Sequence, residues 1–365
     1  MMGGHLKPGW KVWRFDQIAT NVNVRIDNPS ESGMEHYVGL EHLDPDSLRI
    51  RRWGSPDDVE ATKLMFKKGD IIFGRRRAYQ RKLGVAEFDG ICSAHAMVLR
   101  AKPEVVLPEF LPFFMQSDLF MNRAVEISVG SLSPTINWKT LAVQEFALPP
   151  LSEQARLVEV LVAIEHNRNT LTDITQSAIA LARSLGKDLL DRPHVCRASV
   201  GSLAQFASGH GISVSALSEM PSDGARVPVY GGNGIAGYTA TPLRRVPPKT
   251  VVIGRVGAYC GKIYFVEGES WVSDNALYAT AIQDKVLPRF LAFCLAAANL
   301  NRLSTGGAQP LINQQIVKSV EIPVPIIEVQ RELVDVVESI DNSAEKAIKR
   351  ASDLKALKLL VLEGN

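Results

Sequence analysis

The sequence is poor in cysteine and has no long apolar run. Its four cysteines, Cys92, Cys196, Cys260 and Cys294, lie far apart and form no C-x-x-C pair. This spacing indicates neither a disulfide framework nor a thiolate zinc site, and it favours reduced thiols. No apolar stretch approaches the roughly 20 residues that a membrane span needs. Because the first residues also lack the apolar segment of a secretory signal, we expect a cytoplasmic protein.

The chain also lacks a strong net charge. It has 365 residues and a net charge of +2, so the total says nothing about nucleic acid. Its hydrophobic share of 46% and its length suit two globular domains with connecting elements. The distribution of charge is more informative, because cations cluster at three places. These clusters are Arg49, Arg51 and Arg52; Arg75, Arg76, Arg77, Arg81 and Lys82; and Arg244, Arg245, Lys249 and Arg255.

Motifs that carry catalysis are missing. Lys262 follows a glycine but is followed by Ile263, so a phosphate-binding loop is not indicated. The acidic stretch 56–63 superficially resembles a metal-dependent nuclease signature, but its acids are crowded into one loop. Nor does the chain contain the glycine-rich loop and D/N-P-P-aromatic tetrapeptide of an adenine methyltransferase. We therefore predict a non-catalytic protein without a cofactor of its own.

Metal-binding residues are equally sparse. Cys92 with His95, and His194 with Cys196, each supply at most two ligands, whereas a structural zinc ion needs four. The sequence therefore predicts no metal site.

An internal repeat organises the whole chain. Residues 130–161 match residues 306–337 at a constant offset of 176, and residues 74–111 match residues 254–291 at an offset of 180. The matched pairs include Gly74 with Gly254, Arg75 with Arg255, Tyr79 with Tyr259, Lys82 with Lys262, Pro134 with Pro310, Asn137 with Asn313, Pro149 with Pro325 and Gln154 with Gln330. A period of this length indicates two tandem domains and not a solenoid.

Each copy ends in a long helix. After Pro150 and the capping residue Ser152, a long stretch has no proline and no internal glycine before Gly186. Apolar residues at heptad spacing predict a seam that needs a partner helix. The first seam is Leu157, Leu161, Ile164, Leu171, Ile174, Ala178, Leu181 and Leu185, interrupted by Arg168. The second seam is Leu333, Val337, Ile340, Ala344, Ala347, Ala351, Leu354 and Leu357 or Lys358.

The two helices are expected to pair antiparallel as a coiled coil and to hold the globular units at opposite ends. Such an arrangement suits a ligand that repeats, as successive major-groove faces of DNA do about every 34 to 36 Å. The predicted division is 1–151 for the first recognition domain, 152–190 for the central spacer helix, 191–325 for the second recognition domain and 326–365 for the C-terminal spacer helix.

Each globular unit is predicted to be α+β with a curved, mainly antiparallel sheet. Short apolar runs bounded by Gly, Asp and Pro indicate strands at 37–40, 70–73, 97–99, 251–253 and 262–266. The stretch Pro108 to Met121 is predicted to be one amphipathic helix entered at a proline, and Pro288 to Leu300 its counterpart. The fold class is therefore two tandem α+β domains separated by two long antiparallel helices.

A basic loop in each copy is the candidate DNA contact. Residues 74–82 carry five cations and one tyrosine between two predicted strands, and residues 254–262 keep an arginine, a tyrosine and a lysine. Arginine can bind guanine bidentately, and both cations neutralise phosphate. The predicted DNA-binding residues are Arg75, Arg76, Arg77, Tyr79, Arg81, Lys82, Arg255, Tyr259 and Lys262. The alternative is a basic, solvated turn.

Two further loops recur, at 130–137 and 306–313. Their prolines and asparagines favour a structural crossover that joins the sheet to the long helix.

Taken in order, these motifs resemble the specificity subunit of type I restriction-modification systems. The resemblance rests on residues 37–41 (YVGLE), 228–234 (PVYGGNG) and 307–310 (GAQP), and on the repeated Pro-x4-Gln at each helix entrance. It implies two target recognition domains that each read half of a split double-stranded DNA sequence, with the helices as a spacer.

The resemblance also implies partners. Two modification subunits would bring S-adenosylmethionine and methylate adenine, and a translocating endonuclease subunit would join them. Three alternatives are kept: a shorter relative serving a combined methyltransferase-nuclease, a small enzyme in its own right, and a coiled-coil scaffold without DNA.

Overall fold

The computed structural model describes residues 6–243, 245–257, 259–305 and 310–363. The chain forms two compact units: unit 1 is Met1–Thr170 with Arg350–Asn365, and unit 2 is Leu171–Lys349. Each long helix is thus shared between the units, whereas the predicted division assigned each helix to a segment of its own. That functional division stays a prediction. Within the described ranges, no helix combines the length and apolarity required to cross a lipid bilayer.

Unit 1 contains two four-stranded sheets and a two-stranded ribbon. Its strands are β1 (Lys11–Arg14), β2 (Ala19–Val22), β3 (Arg25–Ile26), β4 (Tyr37–Val38), β5 (Lys63–Phe66), β6 (Ile71–Phe73), β7 (Leu83–Val85), β8 (Gly90–Ser93), β9 (Met97–Ala101) and β10 (Glu145–Leu148). One sheet has the order β2-β9-β6-β7 and is antiparallel throughout. The other has the order β3-β5-β8-β4, in which β4 and β8 are parallel, and β1 pairs with β10.

Short helices complete unit 1: α1 (Phe15–Ile18), α2 (Phe110–Gln116), α3 (Asp118–Glu126) and α4 (Trp138–Ala142). The prediction of one helix from Pro108 to Met121 is wrong, because the chain leaves helical geometry at Ser117 with φ −63° and ψ 154°. The Ser117 hydroxyl accepts a hydrogen bond from the Phe120 N–H and caps α3, as serine does at a helix start. The break turns Phe120 into the core, where its ring lies 5.4 Å from that of Phe15.

The first long helix is α5 (Leu151–Asp191), and it leads into unit 2. The strands of unit 2 are β11 (Arg197–Ser199), β12 (Ala204–Ser208), β13 (Val227–Gly231), β14 (Gly234–Thr239), β15 (Lys249–Gly254), β16 (Ile263–Glu267), β17 (Trp271–Val272), β18 (Ala276–Ile282) and β19 (Glu321–Pro323). Its helices are α6 (Val200–Leu203), α7 (Pro288–Ala297), α8 (Gln314–Ser319) and α9 (Ile327–Glu363). The helix predicted to reach Leu300 ends at Ala297.

The strand order confirms the internal repeat. In unit 2 the main sheet has the order β12-β18-β15-β16, which is the order of β2-β9-β6-β7 in unit 1. The ribbon β11-β19 corresponds to β1-β10, and β13 pairs in parallel with β17 as β4 does with β8. The two tandem α+β domains of the sequence prediction are therefore confirmed.

The repeated Pro-x4-Gln motif fixes each long helix to its own unit. Gln154 is fully buried; its Oε1 accepts from the Leu107 N–H, and its Nε2 donates to the carbonyls of Val105 and Pro149. Gln330 makes the same three bonds, at 2.8 to 2.9 Å, to Leu287, Lys285 and Pro325. Because a buried amide with all partners satisfied is held in one geometry, these glutamines set the direction in which each helix leaves its unit.

The helices pair antiparallel within each unit, as predicted. In unit 1 the start of α5 (Leu161) and the end of α9 (Val361, Leu362) pack in one core. In unit 2 the end of α5 (Leu189) and the start of α9 (Leu333) share the other core.

The predicted seam of α9 is confirmed, and Lys358, not Leu357, occupies its last position. The predicted seam of α5 is wrong at Ile174 and Leu181, whereas Leu171, Ala178 and Leu185 are half-buried. Ile174 and Leu181 are 45% and 50% exposed, whereas Thr175 and Leu189 are buried. At heptad spacing from Leu161, the seam contains Arg168, Thr175, Ala182 and Leu189. Polar and small residues therefore occupy seam positions that a pattern of apolar residues does not reveal.

A buried polar cluster, the Lys358 network, explains the polar seam residues in unit 1. The Lys358 ammonium donates to Glu165 at 2.8 Å and to the side chain of Gln116, and it lies 5.1 Å from the centre of the Phe113 ring. Arg168 donates to Glu165 at 3.0 Å. Burial lowers the pKa of Lys358, while the Glu165 carboxylate opposes that shift. The charges are therefore paired inside the helix interface.

Candidate nucleic-acid interface

The predicted DNA-binding stretch of unit 1 is the connection between the antiparallel strands β6 and β7. A short 3-10 turn, Ala78–Gln80, lies in its middle. Arg77 (φ 59°) and Arg81 (φ 52°) flank this turn. Both have left-handed backbone dihedrals, which residues other than glycine adopt rarely. The turn buries Ala78 and leaves Tyr79 55% exposed. The backbone is thus shaped to present an aromatic ring between arginines.

Arg81 and Lys82 are held by carboxylates and carbonyls inside unit 1. Arg81 contacts Asp46 Oδ1 at 2.6 Å and Asp118 Oδ1 at 2.9 Å, and it donates to the carbonyl of Gln116. The ammonium of Lys82 donates to the carbonyl of Leu40 at 2.7 Å. Both stay predicted DNA contacts, but the structure gives them a role in holding the loop.

Arg76 and Arg77 share one hydroxyl. Each donates to Ser133 Oγ at 3.2 Å, and Arg76 also lies 3.5 Å from His95 Nε2. Burial lowers the pKa of His95, and the neighbouring cations Arg76 and Arg75 lower it further. Positive charge is therefore concentrated on this surface.

The loop at 130–137, which was predicted to be a structural crossover, lies directly against the arginine loop. The Arg77 N–H donates to the Pro134 carbonyl at 2.7 Å, and Ile136 N–H donates to the Arg75 carbonyl at 3.0 Å. At its tip Leu132 is 91% exposed. Leu132 and Ser133 were not predicted as site residues, although the repeat of this loop in both copies was a signal for them.

Unit 2 repeats this arrangement. The Gly257 N–H donates to the Pro310 carbonyl, and the Ile312 N–H donates to the Arg255 carbonyl. Residues 306–309, which carry part of the predicted motif, lie outside the described residues.

The predicted aromatic and lysine of unit 2 lie side by side. The Lys262 ammonium lies 5.6 Å from the Tyr259 ring centre and 5.4 Å from that of Tyr264. Tyr259 is 54% exposed, close to the value of Tyr79. Such cation–π pairs hold a lysine beside an exposed ring.

The equivalent arginines Arg75 and Arg255 share a further property. The Nε of each is buried and has no hydrogen-bond partner among the described residues. The Nη2 of Arg75 donates to the Ala94 carbonyl at 3.0 Å, and the Nη1 of Arg255 lies 3.5 Å from Ser208 Oγ. Because unsatisfied buried donors are uncommon, their recurrence at one repeat position points to a ligand with acceptor atoms.

A cavity of about 230 Å³ opens beside Arg75. Its polar wall carries Arg25 and Thr62 together with two asparagines, Asn21 and Asn23. These groups offer donors and acceptors of the kind that bind phosphate, sugar or base edges.

Residues suited to metal or nucleophilic chemistry are not grouped in this way. Among the described residues no three His, Cys, Asp or Glu side chains could jointly hold a metal ion. Burial raises the pKa of the Cys92 thiol, and it raises that of Cys294 to about 12. Both thiols are therefore protonated near neutral pH and poor nucleophiles.

Comparison with known proteins identifies one family. Residues 58–179 and 225–351 match the family described as type I restriction modification DNA specificity domain. The specificity subunit of the type I restriction enzyme EcoDI from Escherichia coli is 27% identical over 190 residues, which cover 50% of this chain and 40% of that protein. The EcoKI specificity subunit of E. coli K12 is 25% identical over 201 residues, covering 50% of this chain and 41% of that protein. The aligned parts therefore span less than half of these relatives.

Solved structures agree in fold. The type I restriction-modification S subunit of M. genitalium has a TM-score of 0.67 at 16% identity, covering 97% of this chain and 95% of that one. A chain from a structure of the type I R-M system, described for its complex assembly and conformational transition, has a TM-score of 0.53 at 20% identity, covering 99% and 98%.

Proposed function

The chain belongs to the type I restriction modification DNA specificity family, and from that premise we propose that it is the DNA-recognition subunit of a type I restriction-modification complex. Each unit reads one half of a bipartite double-stranded target, and the paired helices set the gap between the halves. The chain itself is non-catalytic. It acts in the cytoplasm, where its DNA target lies.

One observation carries this proposal: the same two-loop arrangement recurs in both units around Arg75 and Arg255. A duplicated reader is what a split target requires, because each half-site needs its own set of donors. The buried Nε groups without partners gain acceptors if these two side chains reorient onto a ligand.

The individual contacts follow from the chemistry of the side chains. Arg75 and Arg255 are suited to acceptors on a guanine edge, where a guanidinium binds two atoms at once. Arg76, Arg77 and Lys262 are suited to phosphates, which fix the position of the protein without reading sequence. The exposed Leu132 is suited to apolar contact with a thymine methyl group.

The proposed partners supply the chemistry. Two modification subunits dock on the complex, bind S-adenosylmethionine and methylate adenine in each half-site. A translocating restriction subunit completes the complex. This chain directs them and needs no cofactor of its own.

The experiment is single-molecule methylation sequencing of host DNA with and without the coding sequence. Loss of a two-part adenine-methylated motif on deletion, and its return on complementation, is the expected result. Complementation with Arg75→Ala or Arg255→Ala should fail or relax the motif, whereas Arg331→Ala on the exposed face of α9 should restore it fully. Methyl transfer or DNA cleavage by the purified chain alone would overturn the non-catalytic role, and an unchanged methylome would contradict the proposal as a whole.

A further inference from the structure

The outer edge of β7 in unit 1 is covered by a segment of the same chain. Residues 45–49 form isolated bridges to Lys82 and Val85. The Asp46 N–H donates to the Arg81 carbonyl at 3.1 Å, and the Val85 N–H donates to the Leu48 carbonyl at 2.8 Å. The edge strand is therefore closed by an irregular segment with a turn at Asp46, whose φ is 55°.

The equivalent edge in unit 2 is open. Strand β16 corresponds to β7 at the offset of 180, and it is the last strand of its sheet. In the described part of unit 2, no segment pairs with its outer edge. A groove of about 900 Å³ takes the place of that segment, between β16, the β13-β14 hairpin and α9. Exposed strand edges are templates for the addition of another strand.

An unsatisfied polar group lies in this groove. Tyr264 lines it, and its buried hydroxyl has no hydrogen-bond partner among the described residues.

The charge of the groove is reversed between the repeats. In unit 1 the Asp46 carboxylate of the covering segment meets Arg81 at 2.6 Å and Lys355 at 2.8 Å. The equivalent positions in unit 2, at offsets of 180 and 176, are Gly261 and Ile179, which carry no charge.

Carboxylates line the groove of unit 2 instead. Glu267, Glu338, Asp341 and Glu345 lie on its wall, with Arg289 as the one cation among the described lining residues. Arg289 binds Asp341 at 2.8 Å and lies 3.7 Å from Glu338. An occupant of this groove therefore needs positive charge, whereas an anionic nucleic acid would be repelled.

A neighbouring cavity shows how unit 2 departs from the Lys358 network. This cavity of about 350 Å³ is lined by Ala182, Ala296, Phe293 and Asp341, and also by Arg183 and Arg289, among others. The equivalent residues in unit 1 are Lys358, Gln116, Phe113 and Glu165, the members of the Lys358 network. Where unit 1 pairs Glu165 with Lys358, unit 2 pairs Asp341 with Arg289 and has small side chains and open volume at the lysine position.

We propose that this groove docks an extended, basic segment of a partner protein, which adds to the edge of β16 and places its cations beside the carboxylates of Glu267, Glu338 and Glu345. Main-chain hydrogen bonds to an edge strand supply affinity, and pockets for alternate side chains supply specificity, as in other strand-addition complexes. The docking site is independent of DNA reading, because it uses none of the predicted DNA-binding residues.

The test uses the full chain and a labelled synthetic peptide. The probe copies the unit 1 segment 43–52 with lysine at the two aspartate positions, Leu-Lys-Pro-Lys-Ser-Leu-Arg-Ile-Arg-Arg. An acidic control peptide has glutamate at every basic position. By fluorescence anisotropy the basic peptide should bind at least about tenfold more tightly than the acidic one.

Variants locate the binding. The double variant Glu338→Lys with Glu345→Lys should lower the affinity for the basic peptide by about tenfold or more. The control, Glu332→Lys with Asp335→Lys, lies on α9 outside the groove and should change that affinity by less than about twofold. Unchanged melting temperatures show that the variants fold.

Backbone N-methylation of the probe distinguishes strand addition from simple charge attraction. The methylated peptide keeps its charge but loses N–H donors, and we expect it to lose most of its affinity. The proposal is overturned if the methylated peptide binds as tightly as the unmethylated one, or if the acidic peptide binds as tightly as the basic one. It is also overturned if the two variant pairs bind the basic peptide equally well.

Discussion

Arg75 and Arg255 are the residues on which sequence repeat and structure agree most closely. They occupy one repeat position, and in both the Nε is buried without a partner among the described residues. Retaining such a donor destabilises a free protein by roughly 1 to 3 kcal/mol. A change of side-chain conformation on DNA binding that gives each Nε an acceptor recovers that free energy, which favours a binding role for both arginines.

The first prediction concerns these arginines. Arg75→Ala and Arg255→Ala should each weaken specific DNA binding of the assembled complex by about 1 to 3 kcal/mol, or roughly 5- to 150-fold. Arg75→Lys should not restore it, because an ammonium cannot bind two acceptors in the planar geometry of a guanidinium. Binding isotherms at fixed salt measure the effect, with Arg331→Ala as control. Affinity unchanged in both alanine variants would show that neither arginine reads DNA.

The second prediction concerns His95. Its pKa is lowered by burial and by Arg76 and Arg75, so it is neutral at pH 7 in the free protein. A bound phosphate nearby favours the imidazolium and raises the pKa, so DNA affinity should rise as the pH falls from 7.5 to about 5.5. The free energy of unfolding should instead fall as the pH drops below about 6.5. The pKa of His95 is higher in the unfolded chain, so the unfolded chain binds the proton more readily than the folded one.

His95→Gln is the matched variant, since it keeps a polar side chain but cannot titrate. It should reduce the slope of DNA affinity against pH and leave affinity at pH 7.5 within about twofold. An identical pH slope in the wild type and the variant would assign the titration to another group.

At the scale of elements, the helix pair of unit 1 depends on a buried charge network. Lys358→Ala should lower the free energy of unfolding by about 3 to 5 kcal/mol, because it leaves the Glu165 carboxylate buried with one partner fewer. The exposed neighbour Lys355, whose ion pair with Asp46 is at the surface, should contribute only about 0.2 to 1 kcal/mol. Urea denaturation of Lys358→Ala and Lys355→Ala measures both values.

A second substitution tests the cause. Replacing Glu165 as well, in Lys358→Ala with Glu165→Ala, should recover part of the loss, since no unpaired carboxylate remains. The network does not act as a unit if the double variant loses as much free energy of unfolding as Lys358→Ala and Glu165→Ala lose together.

The same elements show how far the sequence predicts the fold. Periodicity and the repeat predicted two α+β units and two long helices, and the structure has them. They misplaced two positions of the α5 seam, because half-buried Arg168 and buried Thr175 lie in it through partners and contacts that no apolar pattern contains. Nor did they predict the break at Ser117, where a side-chain cap overrides an uninterrupted helical pattern.

The candidate site was predictable only in part. Identical residues at the repeat positions indicated the arginine loops. Leu132 and Ser133 were not found, because their role depends on a backbone contact between two loops about 55 residues apart, which composition does not show.

At the scale of the whole molecule, the duplication gives a prediction that neither unit alone provides. If each unit reads one half of a bipartite target, substitutions in one unit should change one half of the methylated motif and leave the other half intact. Tyr79→Ala or Leu132→Ser should relax one half, and Tyr259→Ala the other, because exposed aromatic and apolar side chains add about 1 to 3 kcal/mol where they contact bases. The gap between the halves should stay constant in all three variants, since none of them lies in α5 or α9. Methylation sequencing of cells complemented with each variant reads both halves and the gap at once, and relaxation of the same half by Tyr79→Ala and Tyr259→Ala would contradict the assignment of one half-site to each unit.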